Sequence, residues 1–221
     1  MTPESSGLQL NLWKKRLGAV PEWVWERTSL ETLILADNDL SEIPDRIGNL
    51  KRLRTLDLGH NRLTAVPYTL GDLAALRDFL YLHDNRLTSL PPSLARMSSL
   101  RYLNIGENCF EAFPECVCGM ASLIELRASG NRIASLPDSI GNLTRLRELH
   151  LRDNQIVSLP ESIAPMKELR QIDLRGNPLQ DLPQAIAALP RLEKLDLRWV
   201  TTLQPPAWIG EIEARGCVVY R

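Results

Sequence analysis

The side chains best suited to catalysis or metal binding in this chain are three histidines and four cysteines: His60, His83, His150, Cys109, Cys116, Cys118 and Cys217. Imidazole and thiolate groups are the usual general bases, nucleophiles and zinc ligands. No histidine pair has the spacing of metal ligands, and one residue between Cys116 and Cys118 is too few for a usual zinc pair. The sequence contains no glycine-rich phosphate loop, HExxH or nucleophile elbow. It therefore predicts no enzyme, no metal and no cofactor.

These residues are embedded in a unit that repeats along almost the whole chain. A proline after an apolar residue returns every 23 residues, with one interval of 24, at Pro21, Pro44, Pro67, Pro91, Pro114, Pro137, Pro160, Pro183 and Pro206. An asparagine stands six residues before seven of these prolines, at Asn38, Asn61, Asn85, Asn108, Asn131, Asn154 and Asn177. Repetition at this period predicts a solenoid in which each unit packs on its neighbours. The asparagines are interpreted as structural, with amides that bond backbone groups of their own and the adjacent turn.

Each unit contains two kinds of hydrophobic pattern. Pairs such as Leu149 and Leu151 alternate with polar residues, which is typical of a short strand with its leucines turned inward. The following LPxxIxxL segment has a spacing near that of a helical turn, so it predicts a short helix, a 3₁₀ turn or an extended return path.

The consensus LxxLxLxxNxLxxLPxxIxxLxx resembles the leucine-rich repeat, in the 23-residue form of plant intracellular Ras-group-related proteins and many bacterial proteins, including some effectors. The resemblance covers roughly residues 8 to 212. It implies an α/β, right-handed, curved solenoid with about nine parallel strands on the concave face and short helical segments on the convex face. It also implies a role in protein recognition.

The predicted array forms one structural domain with three parts. Residues 1–29 form an N-terminal capping repeat, 30–191 form seven full repeats and 192–221 form a C-terminal capping repeat. All five tryptophans lie in the outer units, where large aromatic side chains can cover the open ends of the core. Most of them are interpreted as caps, and Trp13 and Trp199 also as possible edges of the concave face.

Composition narrows the classes of partner. Lys+Arg 26 against Asp+Glu 27 gives a net charge of -1, which favours neither nucleic acid nor an anionic membrane as the main partner. The N-terminus lacks the pattern of a signal peptide, and no apolar run is long enough to span a membrane. The cysteines are interpreted as reduced thiols. We therefore expect a cytoplasmic monomer, although delivery to another cell as an effector stays open.

The strongest candidate for partner binding on the concave face is an aromatic cluster on adjacent strands: Phe79, Tyr81, His83 and Tyr102. Aromatic side chains grouped on a recognition surface are typical of a binding hot spot. The alternative is that they only pack against one another across strands. The 24-residue interval falls beside Phe79, where the extra residue could form a bulge that re-aims this side chain or a simple insertion before the strand.

A second candidate cluster on the concave face is charged. It consists of the column Arg152, Arg175 and Arg198, joined by Arg127 and interleaved with Glu125, Glu148, Asp173 and Asp196, and His150 is a further candidate for partner binding on this face. Arginine could receive an acidic helix or loop through forked hydrogen bonds. The alternative is a ladder of charges that neutralise one another on a solvated sheet.

The predicted function is a protein-interaction module or scaffold that binds a partner on the concave face. An alternative is the substrate-recognition part of a larger enzyme, such as a ubiquitin-ligase effector or a kinase, whose catalytic domain is not in this chain. The three histidines are expected on the concave side but in different units, and the thiols of Cys116 and Cys118 are expected at the convex surface. Neither set predicts chemistry.

Overall fold

The computed structural model describes residues 7–221, so positions 1–6 of the predicted N-terminal capping repeat lie outside the described residues. The described chain forms one parallel sheet of ten short strands that follow one another in chain order. The strands are β1 Gln9–Asn11, β2 Thr32–Ile34, β3 Thr55–Asp57, β4 Phe79–Tyr81, β5 Tyr102–Asn104, β6 Glu125–Arg127, β7 Glu148–His150, β8 Gln171–Asp173, β9 Lys194–Asp196 and β10 Val218–Tyr220. This architecture confirms the predicted α/β solenoid.

The sheet exists because each repeat places the same three residues beside those of the next repeat. Leu103 of β5 pairs in register with Leu126 of β6, and Leu126 pairs with Leu149 of β7. The middle residue of every strand from β1 to β9 is a buried leucine or isoleucine. The first and third residues of each strand therefore lie on the opposite face of the sheet. We call that face the exposed sheet face.

On the other side of the core, residues 7–221 return through eight 3₁₀ helices. Their bounds are Glu22–Glu26, Asp45–Asn49, Tyr68–Asp72, Pro92–Arg96, Glu115–Gly119, Asp138–Asn142, Glu161–Ile163 and Gln184–Ala188. Each begins directly after one of the repeated prolines, whose extended backbone ends the preceding segment. A fixed proline φ and a missing N–H suit this position, because the first amide of a helix has no intrahelical acceptor.

The repeated asparagines connect neighbouring units through the backbone. Nδ2 of Asn131 donates to the carbonyl oxygens of Ala128 and Ser129 in its own unit and to Ile105 O in the preceding unit, at 3.1–3.3 Å. Its Oδ1 accepts a hydrogen bond from Phe110 N at 3.1 Å. The same pattern recurs from Asn38 to Asn177. These amides satisfy buried backbone groups where the chain turns between strand and return path.

The C-terminal unit differs from the sequence prediction. It contains an α-helix, α1 (Ile209–Ala214), and a tenth strand, β10, which pairs with β9. Ile209 and Ile212 are buried, as their repeat positions predict. The strand was missed because the segment GCVVYR, which lies after the last repeated proline, contains none of the leucines that identify the other three-residue strands.

The extra residue of the 24-residue interval lies before strand β4. Backbone amides of Asp78 and Phe79 both donate to Arg54 O, and Phe79 stays in register with Thr55 and Tyr102. The insertion is therefore absorbed between Leu76 and the strand. It forms no bulge inside β4, and Phe79 points to the exposed sheet face.

The predicted surface position of the thiols at Cys116 and Cys118 is wrong. Cys118 is buried and Cys116 is partly buried in the 3₁₀ helix Glu115–Gly119. The prediction assumed strand-like alternation around Val117, whereas a 3₁₀ helix turns every three residues. Burial raises the pKa of the Cys116 thiol to about 11, and it also raises the pKa of Cys118. Such thiols are protonated and unreactive at neutral pH.

The tryptophans divide into two groups. Trp25 in the first unit and Trp208 in the last are buried in the core, as caps should be. Trp13, Trp23 and Trp199 are exposed instead. Trp13 and Trp199 follow strands β1 and β9.

Candidate functional site

The exposed sheet face carries the first and third side chains of each strand, and a third row lies two residues beyond each strand end. All ten residues predicted for partner binding lie in these rows: Phe79, Tyr81, His83, Tyr102, Arg127, His150, Arg152, Asp173, Arg175 and Arg198. Seven of them belong to two regions that differ in chemistry, which we call the aromatic patch and the charge ladder. The other three, Arg127, His150 and Arg152, lie between these regions.

The aromatic patch consists of Phe79, Tyr81, His83 and Tyr102. The ring of Tyr81 lies 5.1 Å from that of Tyr102, and Phe79 lies 5.4 Å from Tyr102, between centroids. The rings of Phe79 and Tyr81 stack at 5.9 Å, and His83 contacts the edge of Tyr81 at 5.9 Å. These separations are those of favourable aromatic pairs. The rings do pack across strands, as one of the two interpretations of the sequence required.

Packing does not remove the patch from solvent. Phe79 remains 42% exposed, and the other three side chains are partly exposed. Partial burial raises the pKa of the Tyr81 and Tyr102 phenols, so both keep their O–H donors at neutral pH. A hollow of about 240 Å³ adjoins the patch and is lined by Phe79, Tyr102 and Ile124 together with Asp78, Arg101 and Glu125. The patch therefore offers apolar surface beside a recess.

The charge ladder lies on β8 and β9 and consists of Asp173, Arg175, Asp196 and Arg198. Arg175 donates through Nε and Nη2 to both oxygens of Asp173, at 2.8 and 2.6 Å. Arg198 donates in the same way through Nε and Nη2 to the two oxygens of Asp196, at 3.0 and 2.8 Å. Nε of Arg175 also lies 3.6 Å from Asp196 Oδ2 and joins the two pairs. The ladder is a connected network within the chain.

The acids of this network are not at the surface. Asp196 is 0% exposed, and Asp173 is also buried. Burial alone would raise the pKa of Asp196, but the hydrogen bonds from Arg198 and the positive charge of Arg175 outweigh it and hold this pKa below its usual value. Asp173, which was predicted to contact a partner, is enclosed beneath Arg175. Its carboxylate supports the arginine.

Trp199 covers the ladder at its C-terminal end. Its ring centroid lies 5.8 Å from the guanidinium carbon of Arg175 and 5.9 Å from that of Arg198. The ring of Tyr220, on β10, lies 5.1 Å from the guanidinium carbon of Arg198. Trp199 is 66% exposed and has a φ of 64°, which is uncommon for a bulky residue. The sequence register identified Trp199 only as an edge, and it could not show that the ring covers two arginines.

Between the two regions lie the remaining predicted residues, Arg127, His150 and Arg152. Each contacts an acid of its own strand or turn: Arg127 Nε lies 2.6 Å from Glu125, His150 Nε2 lies 3.1 Å from Glu148, and Arg152 Nε lies 3.0 Å from Asp153. These side chains line a groove of about 360 Å³ that runs from His83 to Lys194. The groove joins the aromatic patch to the charge ladder.

The structure corrects the expectation that the histidines, which lie in different units, form no close pair. His60 and His83 belong to adjacent units, and their Nε2 atoms lie 3.2 Å apart. Nδ1 of His60 lies 2.5 Å from Asp84 Oδ2. The contact was missed because the repeat interval here is 24 residues, so the repeat equivalent of His83 is Gly59 and His60 lies one position later. The two histidines come together because strands β3 and β4 are neighbours in the sheet.

Among residues 7–221, no helix has both the length and the apolar character needed to cross a bilayer.

Comparison with protein families gave three matches along the chain. A model described as "Leucine-rich repeat region" matches residues 8–128, one described as "Leucine Rich repeats (2 copies)" matches 121–165, and one described as "Leucine rich repeat" matches 144–199. No curated protein sequence matches the chain.

Solved structures with the same fold include bacterial and plant proteins. A leucine-rich repeat protein of Leptospira interrogans is 27% identical, with a TM-score of 0.52 over 92% of this chain and 63% of its own. The ectodomain of the Arabidopsis thaliana membrane receptor kinase GASSHO1/SCHENGEN3, in complex with CASPARIAN STRIP INTEGRITY FACTOR 2, is 28% identical, with a TM-score of 0.78 over 92% of this chain and 26% of its own.

The plant peptide hormone receptor RGFR1, in complex with RGF2, is 30% identical, with a TM-score of 0.79 over 95% of this chain and 34% of its own. The chain thus spans less than two thirds of each of these three proteins. Two of the three structures are complexes with a bound partner.

Proposed function

This chain belongs to the leucine-rich repeat family, and we propose that it is a protein-interaction module that binds a partner protein on its exposed sheet face, with the aromatic patch as the anchor. The observation that carries this proposal is that the aromatic patch stays exposed to solvent, whereas the aspartates of the charge ladder on the same face are buried. Four rings on and beside β4 and β5 contact one another and still present apolar surface to solvent. Clustered aromatic side chains are enriched among residues that dominate binding energy.

The arrangement of the patch suits recognition for three reasons. The rings are mounted on strands, so little side-chain freedom is lost when a partner binds. The phenol groups of Tyr81 and Tyr102 are protonated and can donate hydrogen bonds at the rim of an apolar contact. The adjacent hollow of about 240 Å³ can accept one side chain of the partner.

The similar structures support this class of function. The receptor ectodomain and the hormone receptor are each described in complex with a partner. Leucine-rich repeat families are typically interaction domains without catalytic activity, so the module needs no chemistry of its own. We also propose that the chain acts as a monomer in the cytoplasm, and its balanced charge does not favour nucleic acid or membrane as the main partner.

A second candidate function is the recognition part of a larger enzyme. The observation that favours it is that one similar structure is the ectodomain of a receptor kinase and that this chain spans 26% of the matched protein. The same surface would then recruit a substrate, so both candidates share the binding site.

Affinity capture with matched variants tests the proposed surface. One variant replaces Phe79, Tyr81 and Tyr102 with alanine. The control replaces Trp23, Tyr68 and Val157, which are at least as exposed as the patch residues but lie outside the exposed sheet face. We expect the control and the wild type to retain the same partner and the patch variant to lose it, with circular dichroism unchanged in all three. Equal retention by the patch variant would contradict the proposal.

A further inference from the structure

The contact between His60 and His83 has a geometry that a hydrogen bond alone does not require. Their Nε2 atoms lie 3.2 Å apart, yet the ring centroids are only 4.7 Å apart and the planes cross at 80°. If the two rings met in a straight line through their Nε2 atoms, the distance between centroids would be the N–N distance plus the distance from nitrogen to centroid in each ring, which is longer than the distance observed. The two imidazoles therefore meet at an angle.

An angled pair of imidazoles is compatible with both nitrogens pointing at one metal ion. An ion held by two Nε2 atoms at about 2.0–2.1 Å in tetrahedral geometry separates those nitrogens by roughly 3.3 Å. The observed separation is 3.2 Å. We propose that His60 and His83 form a two-histidine site for a divalent transition metal such as Zn²⁺, with Asp84 as the residue that positions His60.

Asp84 gives His60 the correct tautomer for this role. Its Oδ2 lies 2.5 Å from Nδ1 of His60, so Nδ1–H donates to the carboxylate. The lone pair is then left on Nε2, the atom that faces His83. A carboxylate that accepts from the distal nitrogen of a metal-binding histidine is the usual second-sphere partner of zinc sites.

The backbone of Gly59 makes room for the second histidine. A Cβ at this position would collide with the ring of His83, which lies against the glycine. Gly59 and His83 occupy equivalent positions in adjacent units, so the absence of a side chain in one unit allows the ring of the next to lean over it.

Within residues 7–221, the surroundings of the pair supply one carboxylate that is not bound to a lysine or an arginine. His60 is exposed beside a hollow lined by Asp37, Asp39 and Asp84. Asp37 is paired with Lys14 at 3.4 Å and Asp39 with Arg62 at 2.6 Å, so Asp84 is the carboxylate that remains for His60. The exposed side of His60 leaves room for water, or for a side chain of a bound protein, to complete the coordination of the ion.

Another group with possible ligand atoms, Glu125, Glu148 and His150, lies farther along the exposed sheet face. Its atoms lie within 4.8 Å of one another, but Glu125 Oε1 already accepts from Arg127 Nε at 2.6 Å. A fixed guanidinium at that distance repels a second cation and occupies one ligand. This group therefore serves as the internal control for the site at His60 and His83.

Isothermal titration of the full, untagged chain with Zn²⁺ tests the proposal without any protein partner. We expect one saturable equivalent for the wild type and for His150→Gln, and none for His60→Gln or His83→Gln. Asp84→Asn should weaken binding by about 10–100-fold, the usual cost of losing such a carboxylate. Gly59→Ala, which displaces the ring of His83, should also weaken it, and circular dichroism will verify folding of every variant.

Three outcomes would overturn the site. They are the absence of saturable binding by the folded wild type, unchanged binding by both His60→Gln and His83→Gln, and loss of binding only in His150→Gln. The last would place the ion at the glutamate group instead. Because no partner takes part, the result is independent of whether the aromatic patch binds a protein.

Discussion

The aromatic patch and the charge ladder lie on the same face of one sheet, four strands apart. Their side chains differ, because those of the ladder are paired with one another by charge and those of the patch leave apolar surface exposed. In the ladder, Arg175 and Arg198 are held by forked bonds to buried aspartates. In the patch, the rings of Phe79, Tyr81 and Tyr102 contact one another and keep apolar surface in solvent. Satisfied charges stabilise the fold, whereas exposed rings gain most when a partner covers them. We therefore propose that the ladder stabilises the fold and that the patch binds the partner.

The largest effect expected on stability is at Asp196 in the charge ladder. Asp196→Ala removes a buried acceptor of hydrogen bonds from a charged group, so we expect a loss of about 1.5–3 kcal/mol in the free energy of unfolding. Tyr81→Ala in the aromatic patch should cost about 1 kcal/mol, the scale of an aromatic pair. Urea denaturation of the two variants measures both. The assignment fails if the patch variant is the less stable one.

The stability that the charge ladder contributes should depend on pH in the acidic range. The pKa of Asp196 is lower in the folded chain than its ordinary value of 3.8. A carboxyl group with a lowered folded pKa adds stability above its unfolded pKa, and that stability is lost as the pH falls through the folded pKa. We expect the wild type to lose more stability than Asp196→Asn when the pH is lowered below about 4. Parallel thermal melts would show identical acid dependence if this account is incorrect.

A smaller effect of pH is expected in the aromatic patch. The pKa of His83 lies below its ordinary value of 6.5, first because of burial and then because of His60. A histidine with a lowered folded pKa stabilises the fold above its unfolded pKa, and this contribution declines as the pH falls through 6.5 towards the folded value. Metal-free melts between pH 8 and about 5 should therefore show a steeper decline for the wild type than for His83→Gln. Equal slopes would mean that His83 is not in this environment.

The smallest effect is expected when a ladder arginine is changed and binding is measured. Arg198→Gln removes a charge that is already neutralised by Asp196, so partner capture should change by less than about twofold. The matched comparison is Tyr102→Ala, which should reduce capture strongly. Loss of capture in Arg198→Gln with Tyr102→Ala unaffected would exchange the roles of the two regions.

Much of the fold follows from counting residues. The repeat period, with its one interval of 24 residues, places strands β1 to β9, and the alternation around Leu126 and its equivalents predicts which side chains leave the core. The ten predicted binding residues accordingly lie in the rows of the exposed sheet face. Whether they bind a partner stays a prediction.

The parts that could not be predicted depend on side-chain conformation and on distances between units. The register places Asp196 on the exposed sheet face, but its burial results from the way Arg175, Arg198 and Trp199 fold over it. Likewise, His60 and His83 come into contact because the ring of His83 lies against Gly59, which has no side chain. Repeat position determines the face on which a side chain lies, and its neighbours determine whether that side chain is free to bind.

The central claim, that the aromatic patch binds a protein, is tested most directly by a photo-reactive phenylalanine analogue placed at Tyr102 or, as a control, at Tyr68. Both positions are aromatic and at least partly exposed, and Tyr68 lies on a 3₁₀ helix on the other side of the core. After illumination with extract from the source cells, the account predicts one discrete covalent adduct from position 102 and none from position 68. The same adduct from both positions, or an adduct from position 68 alone, would contradict it.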